Sequence, residues 1–335
     1  MDLFTHIAVP LLLGRWLKRS DQEVAALAIG GLAPDLDIFL LPINWVHPNF
    51  FLLVHRGITH SLFFGFLAAL LVFRFSCAGP IRSRISQHLG LDPKFTRGTI
   101  LFVFAGLLVH LALDSLTTRG VPLLFPLDPA RWSAEIFFYS ETPLLFASLG
   151  ILIFEAKRRE LVDHRKMLLI LLLLLTVTGA MRLAGKDRAE EIFDGDVTAF
   201  PAPNLFEWTV LVEDDGGVRV YSYEALTEEV FFEGNFPKID VHSLDEDFSD
   251  EGLKAALHGA EKLPQVKTFR WRAYDVVISA VFRDEGWDLE YRDPVMTARM
   301  EDVPSPLKGF FSGLVSLKVR VEGGKAEVRG GSLIF

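Results

Sequence analysis

The sequence predicts an α-helical multi-pass membrane domain followed by a β-rich (α+β) soluble domain. Three observations lead there. Half of the 335 residues are hydrophobic and the mean hydropathy is +0.31, higher than soluble chains of this length usually sustain. The apolar residues gather into long stretches that end near residue 185. Charge divides at the same place: residues 1–185 hold 17 Lys/Arg against 13 Asp/Glu, and residues 186–335 hold 17 against 30. A basic, apolar first part joined to an acidic, polar second part reads as two domains. They are a membrane domain over 1–185 and a soluble domain over 205–335. Residues 186–204 between them read as a linker, charged at first and then broken by Pro201 and Pro203.

The same figures exclude other classes. Twenty-nine Phe rule out a disordered chain. One cysteine, Cys77, rules out a disulfide scaffold. A net charge of −9 repels phosphate backbones, so no nucleic-acid partner is expected.

The apolar stretches run Leu3–Leu17, Val24–Leu41, Leu62–Phe75, Thr99–Leu116, Ile136–Phe154 and Met167–Leu183. A crossing needs about 20 residues, which the last three approach. The count is six crossings, or four if the first two are re-entrant or peripheral. Asp2 stands where a signal peptide would be basic, so the first stretch does not read as a cleavable leader. Basic residues cluster at Arg15/Lys18/Arg19, Arg82/Arg84/Lys94/Arg97 and Lys157–Lys166. All three fall on one side if every stretch crosses, and that side is the cytoplasm. Loops 42–60 and 117–135 and everything after 185 then face outward.

In the second half, Glu207–Val212 and Val218–Tyr223 flank the turn Asp214-Asp215-Gly216-Gly217, a hairpin pattern. Thr268–Phe282 and Trp287–Arg292 read as a second hairpin, Leu314–Val321 and Ala326–Ile334 as a third. One helix is expected at Asp250–Leu263, ended by Pro264.

The chemistry sits in the apolar half. His6, Asp35, Asp37, His55, His60, His110 and Asp114 are seven imidazoles and carboxylates in stretches otherwise poor in polar residues. That is a ligand set for Zn²⁺, Mn²⁺ or Fe²⁺, enough for one or two ions. His110 and Asp114, at i and i+4, share a helix face inside an apolar run, where ionisable groups are costly and by default functional. The charge-derived topology, which uses none of these residues, places the candidates in one layer at the outward ends of their stretches. Arg56 is a candidate phosphate clamp, and Asp37 or Asp2 a candidate proton acceptor. Plainer readings stand beside these. Asp35 and Asp37 could cap a helix or mark a turn, Asp2 could be a helix-terminal charge, Arg56 an interfacial anchor, and His110–Asp114 a buried pair. His47, His88, His164, His242 and His258 read as structural histidines, and Asp240, His242, Asp245, Glu246 and Asp247 as a solvated acidic loop.

The runs Met1-Asp2-Leu3-Phe4-Thr5-His6, Gly31-Leu32-Ala33-Pro34-Asp35-Leu36-Asp37, His55-Arg56-Gly57-Ile58-Thr59-His60-Ser61 and His110-Leu111-Ala112-Leu113-Asp114 together resemble the YdjM-like family, over about residues 1–185. The resemblance implies an inner-membrane-associated, metal-dependent hydrolase and names no substrate. The order of elements is also similar to zinc-dependent phospholipase C and its nuclease relatives. In that analogy Asp35 or Asp37, His60, and His110 with Asp114 fill the ligand places. The later ligands of that family have no match here, and Asp2 and His6 would have to replace its N-terminal amine. The acidic half resembles the C-terminal extension that some YdjM-like members carry.

The expected function is hydrolysis of an ester or phosphoester at the membrane. Membrane lipids are the expected surroundings, and a small molecule or a lipid the expected substrate. A non-catalytic, metal-stabilised scaffold and a metal or ion transporter are the alternatives.

Overall fold

Caps and prolines decide where the helices begin and end. The computed structural model describes residues 1–47, 53–243, 249–300 and 315–330. Helix α1 (Leu3–Trp16) opens on Asp2, whose carboxylate accepts the Thr5 N–H. Helix α2 (Asp21–Leu32) opens on a capping box between Ser20 and Glu23. Asp35 and Asp37, open to reading as a turn, do not interrupt the chain after Pro34. The chain tightens into a 3-10 segment, Ala33–Leu40, and continues as α3 (Leu41–Val46). Ser61 caps α4 (Leu62–Ser76), which bends by 86° into α5 (Gly79–Leu89). Gly90, at φ +58°, ends α5 in the left-handed conformation that spares a Cβ clash. A second capping box, Thr96/Thr99, starts α6 (Arg97–Ser115).

The fifth apolar stretch differs from expectation. Helix α7 covers only Thr142–Arg158, because Glu141 is extended and a proline occupies the first turn. Phe137, before it, forms an isolated bridge with Thr117 instead. Helix α8 (His164–Glu191) is 28 residues long.

Among the described residues, Asp21–Asn44, Arg97–Ser115 and His164–Glu191 are long and apolar enough to cross a membrane, and the bent α4–α5 pair adds a fourth. Helix α1 is shorter, at 14 residues.

Helices α2 and α6 meet through glycine. A Cβ on Gly106 would lie 2.2 Å from the Leu27 carbonyl oxygen, and one on Gly30 2.3 Å from that of Val103. Missing side chains let the backbones touch, which is how apolar helices gain packing where hydrocarbon offers no hydrophobic drive. A buried ion pair lies in the same part of the chain. Arg182 of α8 donates to Glu141 Oε1 (2.9 Å) and to the carbonyls of Ala202 and Asn204 (3.0 and 3.1 Å). Arg182 and Glu141 are 0% and 2% exposed.

The chain forms two compact units. One comprises 1–39, 55–185 and 201–205; the other comprises 40–54, 186–200 and 206–335. The segment read as a linker therefore carries the end of α8 and strand β1 (Asp196–Pro201). Strands β2 (Glu207–Asp214), β3 (Gly217–Glu224) and β4 (Glu229–Pro237) complete a four-stranded sheet in chain order. Asp214 pairs with Gly217, which leaves a two-residue hairpin turn at Asp215-Gly216.

The second sheet runs β5 (Ile239–Ser243), β6 (Val277–Arg283), β7 (Gly286–Arg292), β8 (Ser316–Glu322) and β9 (Lys325–Gly330). Strand β5 lies parallel to β6, and the later pairings are antiparallel. The connection from β5 to β6 carries α9 (Asp250–Ala260) and α10 (Pro264–Arg272), as a parallel pair requires. Pro264 was expected to end a helix; it opens one, because its missing N–H costs nothing at the first helical position. The expected strand Thr268–Phe282 correspondingly shrinks to β6. Helix α11 (Pro294–Arg299) follows β7. Asp240 and His242 lie exposed on β5, 2.9 Å apart. Asp245, Glu246 and Asp247, Leu314, and residues 331–334 of the last expected strand lie outside the described residues.

Candidate metal centre

Helix α6 carries His110 and Asp114 one turn apart, both wholly buried. His110 donates its Nδ1–H to the Gly31 carbonyl at the end of α2 (2.6 Å). The carbonyl can only accept, so this bond fixes the tautomer and leaves the Nε2 lone pair facing Asp114 Oδ2 (3.3 Å) and Asp35 Oδ1 (3.8 Å). Asp35 sits in the 3-10 segment after Pro34. His60 ends a second 3-10 turn, Ile58–His60. Its Nε2 lies 3.4 Å from Asp35 Oδ1 and 3.5 Å from Asp114 Oδ2.

These four separations close a ring of alternating carboxylates and imidazoles. A tetrahedral ion held by bonds of about 2.0–2.1 Å has ligand atoms about 3.3–3.4 Å apart. The four observed separations, 3.3–3.8 Å, come near that spacing. Three of the atoms involved, His60 Nε2, His110 Nε2 and Asp114 Oδ2, are buried without a hydrogen-bond partner. Polar atoms are rarely left so, and a cation would satisfy all three together.

Two sets of potential ligands converge in this region, the ligand atoms of each within 4.8 Å of one another: His6, Asp35, His110 and Asp114; and Asp35, His55 and His60. Asp35 belongs to both. His6, on α1, places Nε2 3.2 Å from Asp114 Oδ1 and stacks its ring 3.8 Å from that of His110. In the first set His6, His110 and Asp114 are closed to solvent. The second opens outward, with the side chains of Asp35 10% and His55 33% exposed.

Asp37, expected as a ligand and proton acceptor, stands outside both sets. Its oxygens face the Nδ1 atoms of His55 (2.7 Å) and His60 (3.3 Å). They also accept from the Thr59 hydroxyl (2.6 Å) and the Arg56 N–H (3.3 Å). A carboxylate behind two rings turns both Nε2 atoms forward and raises their basicity. Asp37→Asn should therefore weaken metal binding by about 10–100-fold with the facing ligands intact. Calorimetric titration checks this; an unchanged affinity would assign Asp37 no part in the site.

Arg56 was expected to clamp an anion. It is buried at φ +59°, donates to Asp114 Oδ1 (2.8 Å) and the Thr117 hydroxyl (2.8 Å), and lies over the Tyr139 ring at 5.1 Å. Two of its three nitrogens are thus committed within the protein, while Nε has no partner. Its first effect is to balance the Asp114 charge. Asp2 takes the plainer of its two readings: it caps α1 and accepts from the Thr5 hydroxyl (2.7 Å), outside both sets. The α-amino group of Met1, which the residue pattern did not place, contacts Asp114.

Carboxylates dominate the electrostatics of the cluster. Burial penalises the His60 imidazolium, yet Asp37, Asp35 and Asp114 push its pKa up to about 9. The ring is drawn toward positive charge by carboxylates for which a bound cation would be the alternative partner. The other histidines lie outside both sets among the described residues; His164, for example, pairs with Glu155 at 3.0 Å.

Three further partners lie beyond the expected set. Thr59 falls inside the His-Arg-Gly-Ile-Thr-His run and was open to reading as a hydroxyl donor. Thr117 and Tyr139 come from a connection whose spacing marks nothing.

Comparison with known proteins adds a family. The model described as YdjM inner membrane protein matches residues 1–186. Inner membrane protein YbcI of Escherichia coli (strain K12) is 36% identical over 145 residues, which cover 41% of this chain and 70% of that relative. No solved structure matches.

Proposed function

The chain belongs to the YdjM inner membrane protein family, and on that premise we propose that it is a membrane-bound, metal-dependent hydrolase of an ester or phosphoester, with a membrane lipid as the favoured substrate class. The observation that carries this reading is a site closed behind and open in front. His6, His110 and Asp114 are sealed in protein, while Asp35 and His55 reach solvent beside them. A purely structural ion needs no opening.

Zn²⁺ suits the tetrahedral His/Asp spacing best, and Mn²⁺ or Fe²⁺ accept the same donors. His6, Asp35, His110 and Asp114 would hold one ion. Asp35 and His60 with His55 would hold a second, with Asp35 shared. When bound, the ion supplies Lewis acidity and an acidified water. The remaining work falls to the chain. Asp37 orients His55 and His60, Arg56 keeps Asp114 charged and fixed, and the buried side excludes bulk water. His55, with Nδ1 held by Asp37 (2.7 Å), offers Nε2 at the open side, where it can carry a proton if only one ion binds. In this proposal this end of the helices, and the sheet-rich part, face the outer side of the membrane, a reading supported by the distribution of basic residues.

The test is metal content by plasma mass spectrometry, paired with hydrolysis of a phosphodiester and a phospholipid, for wild type and His60→Ala. Bound metal with turnover, both lost on substitution, is the expected result. Metal without turnover of either substrate favours the scaffold, and a metal-free wild type removes both readings.

A further inference from the structure

A groove of about 560 Å³ runs along α4 and α6. Phe63 and Phe66 line it from α4, and Ile100, Leu101 and Phe104 from α6; Arg97 stands at one end and Leu62 at the other. Phe63 and Leu101 are 58% and 68% exposed, so the groove opens sideways from helices that are themselves candidate membrane spans. Its polar component is Arg97, the first residue of α6, exposed and without an ion pair among the described residues. Arg74, two turns beyond Phe66 on α4, likewise has no acidic partner among them.

The length of the groove is informative. The rings of Phe66 and Phe104 lie 5.0 Å apart, and Gly65 packs against Leu107, so the helices run antiparallel there. Arg97 to the level of Leu107 is ten residues, or about 15 Å of helix. That is one leaflet of a hydrocarbon core about 30 Å thick. The guanidinium thus lies at headgroup depth and the far end of the groove near the midplane.

A second copy of the chain fits poorly. A two-fold contact presents the same patch from both sides. Helix α4 has no Asp or Glu, and the one acidic residue of α6 is the buried Asp114. Such a dimer would oppose Arg97 with apolar surface or with another Arg97.

We propose that this groove binds an anionic phospholipid, one acyl chain lying between α4 and α6 and the phosphate against Arg97. The inference rests on the membrane location and is independent of catalysis at the metal centre.

Native mass spectrometry tests it, after reconstitution into bilayers of equimolar phosphatidylglycerol and phosphatidylethanolamine. The wild type should retain phosphatidylglycerol by about fivefold over phosphatidylethanolamine, the contribution of one well-placed cation. Arg97→Gln should abolish the preference, and Arg97→Lys and the off-groove control Arg84→Gln should keep it. Leu101→Trp, which fills the groove, should lower retention of both lipids. No preference in the wild type, or an unchanged preference in Arg97→Gln, overturns the assignment. So does efficient cross-linking of two copies through Leu101→Cys in a Cys77→Ser background.

Discussion

Asp114→Ala should empty the metal site and destabilise the protein in one step. Asp114 accepts from Arg56, contacts the Met1 amine and faces His6, His60 and His110, with its side chain wholly buried. Removing it deletes a candidate ligand and strands a buried guanidinium, and breaking a buried pair in this way costs about 3–5 kcal/mol. Two readouts separate the effects. Metal content should fall to background in Asp114→Ala and in Asp114→Asn. Thermal unfolding should be lowered more in the alanine variant, because the asparagine amide oxygen can still accept from Arg56. If Asp114→Asn retains stoichiometric metal, the carboxylate is a partner of Arg56 and nothing more, and the ligand assignment fails at its centre.

Gly106→Val should disable the site without touching a ligand. The added Cβ would lie 2.2 Å from the Leu27 carbonyl oxygen and 2.9 Å from the Gly31 nitrogen. Both atoms are backbone and cannot step aside, so α2 must move away from α6. Overpacking of this kind costs about 1–3 kcal/mol or more. The displaced segment bears the Gly31 carbonyl that orients His110, and leads four residues later to Asp35. Metal affinity should therefore fall with stability. Gly150→Ala is the control: it lies in α7 with nothing within 4 Å of an added Cβ, and should shift stability by no more than about 0.5 kcal/mol. A Gly106→Val variant that binds metal as the wild type does would show that helix spacing does not set the ligand geometry.

The sequence announced the candidate ligands more readily than their arrangement. His110 and Asp114 were legible because a helix puts i and i+4 on one face and because apolar runs do not carry ionisable groups idly. Asp35 and Asp37 were legible as a pair and inseparable as individuals. Two residues apart after a proline, either could have faced inward, and only the tight 3-10 path turns Asp35 to the centre and Asp37 behind the rings. Arg56 was read from its chemistry, which suits phosphate, whereas its depth commits it to Asp114 and Thr117. In the second part, alternation and Gly-rich turns disclosed the β2–β3 hairpin. Strands β4 and β5 escaped, since charged and aromatic residues interleave along β4 without a clean period, and β5 pairs in parallel across two helices that no local turn records. Pro264 misled for a plain reason: the residue that stops a helix at its interior starts one at its first position.

The Arg182–Glu141 pair bears on how the last long helix is set in its surroundings. Leu169, Ile170, Leu173 and Val177 of α8 are exposed. To hydrocarbon one leucine is much like another, so such a surface does not tell a helix which way to face. Turning α8 by a single residue, about 100°, would exchange apolar side chains at little cost while swinging Arg182 away from one carboxylate and two carbonyls. The guanidinium therefore sets the azimuth of α8, as a key sets the one angle at which a cylinder will lock.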